Sequence, residues 1–72
     1  MTDKLKTLIM LGVKQTGSYA PDDALIMCEE SMTDKEYALA ATFLRWVTVH
    51  KKKFGPATFD IVFKEFHKTI AA

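Results

Sequence analysis

The chain has few of the residues on which most protein chemistry depends. Among 72 residues it has one cysteine, Cys28, one arginine, Arg45, two prolines and three glycines. A lone thiol closes no intramolecular disulfide and suits a reducing compartment, so a cytoplasmic location is expected. No apolar run reaches the roughly 20 residues of a membrane span. Met1-Thr2-Asp3-Lys4 and the short apolar run Leu8 to Val13 do not read as a secretory leader. No repeat, linker or low-complexity tract is visible. A net charge of +1 excludes a strongly basic, histone-like protein, and the length excludes a two-domain enzyme or a large cofactor-binding fold.

What is present is apolar. Hydrophobic residues make up 49% of the chain and charged residues 26%, the balance of a folded domain rather than a disordered segment. Residues 1–72 are expected to form one domain. A domain this small buries only about 60% of its unfolded surface. It therefore leans on a disulfide, a metal, close helix packing or a partner chain. Charge is unevenly spread: residues 1–36 carry −3 and residues 37–72 carry +4. Acids gather at Asp22, Asp23, Glu29, Glu30, Asp34 and Glu36, bases at Lys51, Lys52 and Lys53. Such segregation reads either as solvated helix surfaces or as complementary fields, within the fold or between copies.

Periodicity predicts an all-α protein, a compact bundle of three to four helices at about residues 3–15, 21–31, 34–53 and 57–70. In the first, Thr2 or Asp3 is the N-cap, Leu5, Leu8, Ile9 and Gly12 share a face, and Gly17 is the stop. Met10, Leu11 and Val13 widen that face. The second begins at Pro21, where the missing N–H is not needed, with Asp22 and Asp23 at the positive end of the dipole. The third opens on a capping box, Thr33-Asp34-Lys35-Glu36. It is apolar around most of its circumference: Tyr37, Ala40, Leu44 and Val47 lie on one face, and Leu39, Phe43, Trp46 and His50 on the next. Gly55-Pro56 ends it. In the fourth, Phe59, Val62, Phe63, Phe66 and Ile70 form a clean stripe. Trp46, Phe43, Leu44, Phe59, Phe63 and Phe66 are the expected core or its border.

Catalytic and metal chemistry find little footing here. Cys28 lies beside Glu29-Glu30, and negative neighbours disfavour the thiolate a nucleophile needs. Two histidines 17 positions apart and one cysteine do not have zinc-site spacing. No phosphate-binding glycine loop or nucleophile elbow is present. No enzyme activity, metal or cofactor is expected. The polar face of the fourth helix mixes Asp60 and Glu65 with lysines, unlike a membrane-surface helix.

Association with another protein is the expected function. Eight aromatics are generous for 72 residues, and aromatics and methionine are enriched at interfaces. The expected contact set is any exposed part of Tyr37, Leu39, Trp46 and His50, rimmed by Lys51, Lys52 and Lys53. A homodimer built on the third and fourth helices would bury the surplus apolar surface. The rival reading is nucleic-acid binding through the same three lysines, either non-specifically or as a helix-turn-helix joined through Phe54-Gly55-Pro56-Ala57. One arginine and a helix without Asn or Gln suit base reading poorly. In size and lack of catalytic motifs the chain is similar to small accessory proteins of bacteria, plasmids and phages that act on a larger host protein. The ending Ile70-Ala71-Ala72 is similar to tails that present proteins to unfolding proteases, and reads equally as a frayed helix end.

Overall fold

Local capping chemistry decides where the helices begin and end. The computed structural model describes residues 3–71; Thr2 and Ala72 lie outside the described residues. Helix α1 runs Asp3–Thr16 and stops at Gly17, whose φ of 67° is the left-handed conformation glycine accepts freely. Helix α2 is Pro21–Ala24, helix α3 Asp34–Val49 and helix α4 Phe59–Ala71, with a short 3-10 turn at Glu29–Ser31. No strand occurs among the described residues, so the chain is all-α.

Three boundaries differ from the periodic reading. The continuous second helix expected over 21–31 is broken into α2 and the 3-10 turn. After Ala24 the bonds tighten to three-residue steps: Cys28 N–H donates to the Leu25 carbonyl, and Ser31 N–H to that of Cys28. Three-residue steps stack Leu25 and Cys28 on one side. Both are buried, while Ile26 and Met27 face outward.

The third helix ends at Val49 rather than Lys53. Lys51 turns left-handed, at φ 53°. Its N–H donates to the Thr48 carbonyl, and that of Lys52 to the Val47 carbonyl, a helix-closing pattern usually built on glycine. The fourth helix begins at Phe59 rather than 57. Pro56, Ala57 and Thr58 form a turn in which Gly55 N–H donates to Thr58 Oγ1 at 2.9 Å. The capping box forms as read: Glu36 N–H donates to Thr33 Oγ1 at 3.2 Å, and Thr33 N–H to Glu36 Oε1 at 3.0 Å.

The core is aromatic at its centre. Phe43 is fully buried, with the rings of Phe54, Phe59, Phe63 and Phe66 at 5.2–5.5 Å from its own. Edge-on and tilted pairs at this spacing add to the burial energy of the rings themselves. Leu5 and Ile9 from α1, Ala24 and Leu25, and Ala40, Leu44 and Val47 from α3 complete the core. Helix α1 lies so close to α2 that Gly12 faces the Ala24 backbone with no room for a side chain. Lys6 bridges α1 to α4 through Asp60 at 3.2 Å, its ammonium 5.6 Å over the Phe59 ring.

Candidate functional site

The residues expected to make the contact surface divide into four groups. Trp46 and Leu39 are half-buried and packed against the core. The Trp46 ring lies 5.7 Å from Phe66 and 4.8 Å from His50, and its Nε1 is buried with no acceptor among the described residues. Its indole is thus committed largely to joining α3 and α4. His50 is exposed at the α3 C-cap, with Nδ1 3.0 Å from the Trp46 carbonyl oxygen. Tyr37 is also half-buried but lies nine residues before Trp46, about 180° around α3, so it shares no surface with it.

The lysines, with His50, are the accessible part of the set. Lys51, Lys52 and Lys53 are all exposed beyond the end of α3. Lys52 pairs with Glu65 at 3.0 Å, which neutralises one of the three. With Ser18, Tyr19 and Thr48 they line a shallow hollow of about 590 Å³. The connection between α3 and α4 spans residues 50–58, longer than the three- or four-residue turn that sets a helix-turn-helix.

A second concavity was not picked out from the sequence. It is a groove of about 720 Å³ between α1 and the linker before α4. Met10, Leu11 and Val13 form its α1 wall, Tyr19 and Phe54 its floor, and Pro56 its far edge. The Tyr19 ring meets Phe54 edge-on at 5.2 Å, and its hydroxyl donates to the Phe54 carbonyl at 3.3 Å, which fixes the floor. Lys6 and Lys14 stand on the rim. Tyr19 and Gly17 also line the lysine hollow, so the two concavities adjoin. The sequence signal was the widened apolar face of α1: Leu11 remains 43% exposed because no helix among the described residues covers that flank.

The remaining titratable groups are dispersed. Among the described residues no three His, Cys, Asp or Glu side chains cluster closely enough to hold a metal ion. Cys28 is buried, its thiol directed at the Leu8 carbonyl at 3.7 Å. His67 lies edge-on to Phe63 at 4.4 Å. Among the described residues no helix is long and apolar enough to cross a membrane. Comparison with family models, with curated proteins and with solved structures finds no match.

Proposed function

We propose that this chain is a non-enzymatic docking protein that seats a segment of another polypeptide in the groove between α1 and the α3–α4 linker. The observation that carries the reading is the groove's make-up: an apolar floor and wall, a lysine rim, and three further lysines across Tyr19. Its volume falls within the roughly 300–1,000 Å³ typical of ligand-binding clefts. An apolar centre supplies burial energy, and a charged rim sets orientation and on-rate. In this reading Lys51, Lys52 and Lys53 keep their role as rim. Trp46 and Leu39 belong chiefly to the scaffold, His50 to the α3 cap and Tyr37 to another face.

The test is a displayed peptide library panned against the folded protein, with enriched peptides mapped by amide chemical shifts. The expected peptides pair an apolar anchor with acidic flanks and shift Met10, Leu11, Val13 and Tyr19. Leu11→Glu should abolish their binding without unfolding the domain, because Leu11 is exposed. Peptides that map elsewhere would overturn the reading. So would salt-steep binding of short nucleic acid that vanishes in a Lys51/Lys52/Lys53→Ala variant, since phosphate contact weakens sharply with salt and apolar docking does not.

A further inference from the structure

The occupant of this groove is present in the chain itself. We infer that the groove receives the acidic turn of a second copy, with Ile26 and Met27 as anchors; the inference rests on the docking reading of the groove. Ile26 and Met27 are 62% and 67% exposed, adjacent, and at the tip of the tightened turn after α2. Asp22 and Asp23 precede them and Glu29 and Glu30 follow. None of these four exposed carboxylates is ion-paired among the described residues. The groove offers the converse: an apolar floor with Lys14 at its rim, beside Lys6 that Asp60 already pairs, and Lys51 and Lys53 beyond; Lys14, Lys51 and Lys53 have no ion pair among the described residues.

Position fixes the kind of contact. The turn follows directly from α2, which packs on α1 at Gly12. Met10 and Lys14 are each two residues from Gly12, so they stand about 160° around α1 from it. Turn and groove therefore lie on opposite sides of α1, and no molecule fills its own groove. A contact between two different surfaces is head-to-tail and leaves a free turn at one end and a free groove at the other. Two anchors bury a small area, in the range of weak, transient interfaces.

Sedimentation velocity and amide shifts on a dilution series, up to about 1 mM, test this for the full chain in the weak-interface regime. Average mass is expected to rise with concentration, without a plateau at the dimer. The dissociation constant should rise at least about threefold from low salt to about 0.5 M, as the screening length contracts. Met27→Lys, which alters only the turn, and Leu11→Glu, which alters only the groove, should each be monomeric. Both sites are exposed, and circular dichroism checks that each variant stays folded. Mixed together, the two variants should form a 1:1 pair and stop there, because one intact groove meets one intact turn. A sharp monomer at every concentration overturns the inference. So does a plateau at dimer, association that survives both substitutions, or a mixture that stays monomeric. If wild type is monomeric while panned peptides still fill the groove, the second copy is excluded and the docking reading stands.

Discussion

Gly12→Ala gives the packing its sharpest test, because helix propensity and tertiary contact predict opposite signs. Gly12 sits inside a 14-residue helix. In an isolated helix, alanine there gains about 1 kcal/mol over glycine. In the fold, the added methyl overlaps the Ala24 carbonyl oxygen and lies 3.0 Å from its carbonyl carbon. The obstacle is backbone, so no side-chain rotation relieves it. Either α1 and α2 part, loosening Ala24, Leu25 and Cys28, or the turn after α2 is rebuilt. Overpacking of this kind costs about 1–3 kcal/mol, and a backbone obstacle belongs at the upper end. Subtracting the propensity gain leaves a net loss of about 2 kcal/mol. A domain of this length has roughly 4–11 kcal/mol in all. At about 4–8 °C per kcal/mol, Tm should fall by about 8–16 °C. The assay is thermal and urea unfolding followed by far-UV circular dichroism, with Gly55→Ala as control. Gly55 has no atom within 4 Å of its would-be Cβ and no left-handed φ, so alanine there should be neutral or slightly stabilising. A Gly12→Ala variant as stable as wild type would refute the close approach of α1 and α2.

Two further outcomes follow from the caps. Lys51→Gly should raise the urea midpoint, by about 0.5–1 kcal/mol of stability, because a left-handed lysine carries strain that glycine does not, partly offset by glycine's larger unfolded-state entropy; a lowered midpoint would show that the α3 terminus does not close this way. Thr33→Ala should cost about 1 kcal/mol in the same assay. The Thr33 backbone N–H donates to the Glu36 carboxylate and lowers its pKa, so its contribution is present above the ordinary carboxylate value and is lost as pH falls through the lowered folded value. Glu36→Gln should therefore flatten the acid limb of the stability curve, and an unchanged limb would remove Glu36 from it.

The elements that could be read from the sequence are those fixed by neighbouring residues. The Thr33–Glu36 box, the Gly17 stop and the Pro21 start are each decided within four positions, and each stands where the residues place it. The Phe59–Phe66 stripe likewise needs only its own spacing, and its four leading members are buried. The misplaced ends have non-local or atypical causes. Nothing near Lys51 marks it for the left-handed conformation that glycine usually takes. The break after Ala24 falls where α2 packs against Gly12, twelve residues upstream, a contact that no local pattern marks.

The candidate site was less legible, for a related reason: exposure depends on which neighbour covers a face. Helix α3 has the widest apolar circumference, and the sequence points to it as the surface in search of a partner. In the fold, Phe66 and Phe63 from α4 cover the Phe43 side, and Trp46 is drawn against Phe66. An uncovered apolar flank also falls on α1, whose widened face was visible as Met10, Leu11 and Val13. The cause lies in the 50–58 linker. It crosses toward α1 carrying Phe54 and Pro56 but no helix, so it supplies a floor and an edge without a lid. A helical element laid along that flank would cover Leu11 as α2 covers Gly12 on the other side. The fourth helix packs against Phe43, and among the described residues no further element takes that place. Under the docking proposal a second chain supplies it, and the lysines at the rim select an element that carries acids beside its apolar anchors.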